Sequence, residues 1–415
     1  MNHPNANRVA VTGLGVICAI GSGREAFAAA LREGRSGVAP LSLARAGELR
    51  FANAAQVRDF NAEDHFSAKD ADMLDRFAQL AVVAAREALA QAGIGLTEEL
   101  RERAAIVTGS CIGGQTAEDA GFVELYEQGR PRVHPMTIPK TMANAGASAI
   151  SQDLGITGPA FTISTACASS AHAIGQAFHM VRSGQAPMAI AGGSEAPFSF
   201  GILKAWEAMR VVSPTLCRPF SRDRNGMILG EGAAMLLLEP LEAARARGAQ
   251  PLAEIVGFGM SSDAHHITQP SAEGAAKAIR AALRDAALTP DQIGYVNAHG
   301  TGTLANDSTE ARALGFVFGD QARGDKPGGR RPAVSSTKAM HGHTLGAAGA
   351  IEAAATIIGL RNGFLPPTIH FTEADPECEL DVITNSARVV SVDYAVSNSF
   401  AFGGLNAVLA FARAI

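Results

Sequence analysis

Cys167 stands in SerThrAlaCysAlaSerSer, residues 164–170, directly after the apolar stretch AFTIST and at the start of a helix pattern built largely from small residues. A thiol at a helix N-terminus meets unpaired N–H groups and the positive end of the helix dipole. Both favour thiolate, so the placement predicts a lowered pKa and a nucleophile. A buried structural cysteine is the plain alternative for any single Cys, and the rest of the chain decides. His299 lies in AsnAlaHisGlyThrGlyThr, residues 297–303, just past a strand pattern and inside a glycine-rich turn that can aim its imidazole into a cleft. Lys338 and His343 share SerThrLysAlaMetHisGlyHis, residues 336–343, which reads as a second strand-to-helix turn. One thiol and two imidazoles brought together would share one site, a nucleophile beside two hydrogen-bonding rings.

These turns come from distant stretches, and an internal echo says how they meet. A strand over Val9 to Thr12 has its counterpart in Ala253 to Gly257. The helix Phe77 to Ala92 leads to the strand AAIVTGS, and the helix Ala275 to Ala287 leads to IGYVNAHGTG. The Cys167 turn and its helix, ending near Gly184, match the Lys338–His343 turn and a helix ending near Gly363. MAIAGGSEA at 188–196 is echoed by YAVSNSFAFGG at 394–404. Strands alternating with helices predict α/β layering, here as two βαβ-rich halves, residues 1–250 and 251–415, fused after the ArgAlaArgGly stretch. If the halves stack with pseudo-twofold symmetry, the Cys167 turn faces the Lys338–His343 turn.

The 415 residues are 47% hydrophobic and 18% charged, enough for a large core and unlike a disordered chain. A net charge of −5 with no basic run gives no electrostatic footprint for nucleic acid. Five cysteines without CxxC spacing make neither a disulfide framework nor a zinc site, which points to a reducing cytoplasm. Residues 1–15 lack the pattern of a secretion signal, and no stretch reaches the roughly 18 apolar residues that span a bilayer, so a soluble protein away from membranes is expected. Cys111 also follows a strand before glycines but opens no small-residue helix, and it reads as structural. AspAlaHisHis at 263–266 lacks further ligands at metal spacing and reads as a loop facing a gate.

TACASS around Cys167, RPFSRDRNGMILGEGAA at 218–234, NAHGTGTLANDSTE at 297–310, SSTKAMHGHTLGAAGAIE at 335–352 and SNSFAFGGLNAVL at 397–409 occur in this order. Together they resemble the β-ketoacyl-acyl carrier protein synthases of the thiolase-like superfamily, particularly the elongating type II enzymes, nearly end to end. The resemblance implies a thiolase-like α/β fold layered αβαβα. It implies acyl loading onto Cys167, decarboxylation of a malonyl thioester beside His299 and His343, and a Claisen condensation. It gives Lys338 an ionic partner in Glu352, makes Phe402 the mobile gate beside the nucleophile, sets Ile112 near the acyl entrance, and has Thr301 and Thr303 hydrogen-bond a phosphopantetheine arm. No cofactor or metal of the protein's own is implied, because that arm arrives on the acyl carrier protein. A homodimer is expected, with a heterodimer with a related ketosynthase-like subunit as the alternative.

The chain departs from the common gate GlyPheGlyGlyThrAsn at Ala401 and Leu405, and Ala restricts φ, so a stiffer gate is expected. Met227 replaces a frequent phenylalanine, and His341 is expected on the rim of the site. The segment 67–77, which resembles a carrier-docking region, keeps only Lys69 and Arg76 against three aspartates. The stretch 204–221 and the ending NAVLAF are more like nodulation-type or polyene-type synthases. Two rival readings remain open. A biosynthetic thiolase would need a second cysteine in a glycine-rich turn, where Cys378 is not. A chain-length partner subunit would have lost its nucleophile.

Overall fold

The computed structural model describes residues 7–319 and 332–414; the first six residues, on which the reading of the N-terminus partly rests, lie outside them. The main sheet has ten strands in one continuous order, β1 Val9–Cys18, β2 Ala105–Gly109, β3 Ala160–Ile163, β4 Ala189–Glu195, β5 Gly232–Pro240, β6 Ala253–Ser262, β7 Ile293–Asn297, β8 Ala333–Ser335, β9 Tyr394–Ala401 and β10 Leu405–Arg413, with a short side strand, Gly21–Ser22, paired only with β1. Their order across the sheet is β8-β7-β9-β10-β6-β1-β5-β4-β2-β3. From each outer edge inward the pattern is the same: parallel, parallel, antiparallel, antiparallel. The repeat seen in the sequence is thus a repeat of topology. The halves meet where Val9, Ala10 and Val11 pair antiparallel with Ile255, Glu254 and Ala253.

Strand alternation assigns each face to a helix layer. Along β5, Ala234, Leu236 and Leu238 enter a central core, while Ala233, Met235 and Leu237 enter a second core on the other face. Along β10, Ala407, Leu409 and Phe411 face the same central core, and Val408 and Ala410 a third. The second core is closed by α1 (Arg76–Ala92) and α2 (Ala145–Leu154). Between α2 and the central layer the chain order continues with α3 (Ser169–Arg182) and α4 (Phe200–Met209), and the third core is closed by α5 (Ala272–Asp285) and α6 (Leu304–Phe318). After a short α7 (Lys338–His341) comes α8 (Ala348–Asn362), which with α3 fills the centre. Of the 15 residues of α8, all from Ala348 to Leu360 are buried, as expected of a helix with strands on both sides. The result is five layers, helix-strand-helix-strand-helix, as the sequence implies.

β1 runs six residues beyond the expected Val9 to Thr12. Gly13 and Gly15 look like a turn in sequence, but their missing side chains let α1 approach: a Cβ on Gly13 would lie 2.0 Å from the Ala88 carbonyl oxygen. The strand absorbs the irregularity as a register shift between Val11 and Gly13. Among the described residues, no helix is long and apolar enough to cross a membrane.

Candidate active site

Cys167 lies in the turn between β3 and α3, two residues before the first helical residue. Ala166 is held at φ +48°, a conformation that costs energy for a side chain and persists because the turn is cross-tied. Ser169 Oγ donates to the Ala166 carbonyl at 2.6 Å and accepts from Thr165 N at 2.9 Å. Ser170 Oγ accepts from Ala350 N, 2.9 Å away at the start of α8, so the N-terminal ends of the two helices that the repeat pairs meet in space.

His299 follows β7 in a turn held from α6. Glu310 accepts from the His299 and Gly300 N–H groups at 2.9 and 2.7 Å, and Asp307 accepts from Gly302 N at 3.2 Å and Phe220 N at 2.9 Å. The 218–226 loop clamps the same turn: Gly226 N donates to the Gly302 carbonyl, and buried Arg224 pairs with Asp375 and, at 3.8 Å, with Asp307. Thr301 and Thr303 share a hydroxyl contact of 2.8 Å.

Lys338 is fully buried and ion-paired with Glu352; its ammonium also donates to the His299 carbonyl at 2.6 Å and lies 3.3 Å from His299 Nδ1. An ammonium has donors only, so His299 Nδ1 is the acceptor. His343 Nδ1 likewise accepts, at 3.2 Å, from Leu345 N. Burial, reinforced by the Lys338 charge, holds both imidazoles well below their usual pKa, so both rings are neutral. A neutral ring with Nδ1 accepting carries its proton on Nε2. The two rings stand 5.5 Å apart at 84°, and with Cys167, Thr301, Thr303 and Phe402 they line one cavity of about 120 Å³. Glu352 is pushed up to about 7 by burial, against the pull of Lys338.

The expected lowering of the Cys167 pKa is overturned. Burial pushes the thiol up to about 12, with Lys338 the largest opposing influence. That is roughly 4 kcal/mol against thiolate, more than the ~0.3–2 kcal/mol a helix N-terminus supplies. The resting sulfur is a thiol. His341 is also corrected: it is fully buried, not on the rim, with Nε2 at 3.0 Å from Thr337 Oγ1 and Nδ1 at 2.8 Å from the Gly342 carbonyl. The 67–77 segment is less basic than its count suggests, because Arg76 is tied to Glu231 at 2.9 Å, while Asp75 is a buried cap of α1.

Ile112 is not in the cavity wall beside Cys167; it packs behind, with Cys111, Trp206, Phe198 and Leu345. Asp263 ties its loop to the 401–406 hairpin, donating its N–H to the Gly404 carbonyl at 2.9 Å and accepting from Asn406 at 2.7 Å. No cluster of three or more His, Cys, Asp or Glu side chains suited to a metal ion occurs among the described residues.

Sequence reasoning missed Glu195, a buried carboxylate at the end of β4. It accepts from Ser110 Oγ at 2.7 Å and from the N–H groups of Cys111, Ile112 and Gly346 at 2.8, 3.3 and 3.0 Å. One carboxylate thereby joins a loop of each half. A Cβ on Gly346 would fall 2.4 Å from Glu195 Oε2. The available signal was a glutamate next to last in MAIAGGSEA, a run of small and apolar residues buried on both faces.

Residues 6–244 match the family model for the β-ketoacyl synthase N-terminal domain, and residues 252–372 that for the C-terminal domain. The chain is 44% identical to Nodulation protein E of Rhizobium sp. (strain N33), over 97% of this chain and 98% of that protein. It is 39% identical to 3-oxoacyl-[acyl-carrier-protein] synthase 2 of Staphylococcus aureus (strain COL), covering 98% of each. The solved ishigamide ketosynthase/chain length factor superposes with a TM-score of 0.91 at 38% identity, over 98% of this chain and 99% of that one. With its motifs, its doubled topology and these matches in agreement, the chain belongs to the β-ketoacyl synthase family.

Proposed function

We propose that the chain is a β-ketoacyl-acyl carrier protein synthase with Cys167 as nucleophile and His299 and His343 as the paired donors. The observation that carries this reading is the cavity in which the sulfur and two neutral imidazoles meet. Cys167 sulfur attacks the thioester carbonyl of an acyl carrier protein, and the thiol proton ends on the departing phosphopantetheine sulfur. The backbone N–H groups of Cys167 and Phe402 hold the tetrahedral oxygen, a type of donor whose loss costs about 2.7–4 kcal/mol. Malonyl thioester then enters, its arm hydrogen-bonded by Thr301 and Thr303. The bond to its carboxylate breaks, CO₂ leaves, and the electron pair passes into an enolate held by the two Nε2–H groups. The enolate carbon attacks the acyl carbonyl, the Cys167–acyl bond breaks, and the sulfur recovers a proton from water. Lys338 and Glu352 organise the donors instead of exchanging protons. The phosphopantetheine belongs to the carrier, and no cofactor of the chain's own enters.

The division into residues 1–250 and 251–415 places the nucleophile in one half and the imidazoles and gate in the other. We assign the exposed apolar side chains Phe122, Tyr126, Ile138 and Met142 to contact with a second ketosynthase-like subunit, either a copy or a chain-length partner. Ala401 and Leu405 pair with each other and close the gate hairpin, consistent with a stiff gate. The cytoplasm is the proposed location. A thiolase reading would need a second cysteine in the cavity, whereas Cys378 packs in the outer core with α5 and α6.

Intact-mass measurement with a panel of acyl carrier protein thioesters tests the proposal. The parent protein is expected to gain an acyl mass and form β-ketoacyl product, and Cys167→Ser to do neither. Normal condensation by Cys167→Ser would falsify it.

A further inference from the structure

The chain holds one tryptophan, and it stands in the wall of the Cys167 cavity. Trp206 follows buried Leu203 by three residues on α4, so the two share a helix face. Polar contacts fix α4 to the 48–50 segment: Lys204 Nζ donates to the Glu48 carbonyl at 2.6 Å, and Glu207 accepts from Arg50 N. The indole is therefore mounted on an anchored element. Its ring stacks on Phe402 with centroids 6.2 Å apart and planes 25° from parallel. The turn behind Phe402 is pinned too, by Gly403 N donating to the Ile267 carbonyl at 2.7 Å and Asp263 N donating to the Gly404 carbonyl at 2.9 Å. Between these fixed points, the phenyl ring is the part of the wall that can swing.

Phe402 lines the same cavity as Cys167, so an eight-carbon acyl chain on that sulfur meets the phenyl ring. We propose that Trp206 is the positioning residue for Phe402: its indole holds the phenyl ring against the cavity before acylation, and an acyl group seated on Cys167 moves the ring off the indole. This inference rests on the reading that Cys167 is acylated. It makes the sole tryptophan a reporter of the gate.

The test mixes the full chain with the octanoyl thioester of N-acetylcysteamine, which has no aromatic ring, and follows tryptophan emission and intact mass together. Emission is expected to change with the same rate constant as the gain of octanoyl mass. Phe402→Leu is expected to gain the mass and lose the emission step. Octanoyl mass gained by the parent at constant emission overturns the inference and leaves the proposed function standing, and so does a full emission step in acylated Phe402→Leu. Absence of mass gain in the parent overturns both.

Discussion

Replacing Lys338 with methionine removes the ammonium and keeps the unbranched side chain out to Cε, and the local geometry sets the outcome. His299 Nδ1 loses the donor 3.3 Å away that makes it an acceptor, so the ring is free to place its proton on either nitrogen. A hydrogen bond to a charged group contributes about 1.5–3 kcal/mol, so decarboxylation of malonyl thioester should fall about 10- to 150-fold. Glu352 loses its only ion-pair partner among the described residues and, already raised to about 7, rises further. Orphaning a buried charge costs about 3–5 kcal/mol, but below its new pKa this carboxyl escapes the cost by taking a proton. The sign follows from linkage. A carboxyl whose folded pKa lies above its unfolded value adds stability that is present at low pH and lost as pH rises through the folded pKa. In the parent that loss ends about one unit above the folded pKa, near pH 8; in the variant it continues to higher pH, so the stability gap should widen from pH 7 to 9. Carbon dioxide release and urea denaturation at several pH values measure the two effects. Undiminished decarboxylation by a folded Lys338→Met protein would refute the claim that the ammonium sets the His299 tautomer.

Cys167 in the resting protein is expected to react with iodoacetamide at a rate rising about tenfold per pH unit from 7 to 10, since only thiolate reacts and the thiol is pushed up to about 12. A plateau near neutral pH, read by peptide mapping, would show that the helix N-terminus wins over burial. Gly346→Ala forces a methyl against Glu195 and the Cys111 N–H, which costs about 1–3 kcal/mol as overpacking; an unchanged denaturation midpoint would remove Glu195 as the tie between the halves. Arg224→Ala leaves Asp307 buried without its cation and should cost about 3–5 kcal/mol, with a raised KM for malonyl thioester because the 300–303 turn loosens. Equal KM values would separate the 218–226 loop from substrate binding.

The reactive groups were legible because strand-to-helix turns announce themselves through short motifs. Cys167, His299, Lys338 and His343 each sit beside glycine or other small residues at a strand end, and the echo between the halves said which turns should face. The protonation of Cys167 was not legible. The dipole argument for Cys167 is local and correct in sign, but burial is a property of the whole fold and outweighs it. Glu195 and Trp206 escaped for a related reason: partners far along the chain create the nest around Glu195 and the stack on Trp206. The full length of β1 was hidden because glycine reads as a turn until the helix that needs the space is known.

Both α3 and α8 are bounded by strands from the two halves, so their residues serve both halves of the sheet at once. Either half, cut out alone, would expose an entire apolar flank of its sheet and leave its inner helix wet on one side. Each half therefore depends on the other to keep its inner helix dry, and the seam that carries the sulfur and the two imidazoles is also where the two halves hold each other together.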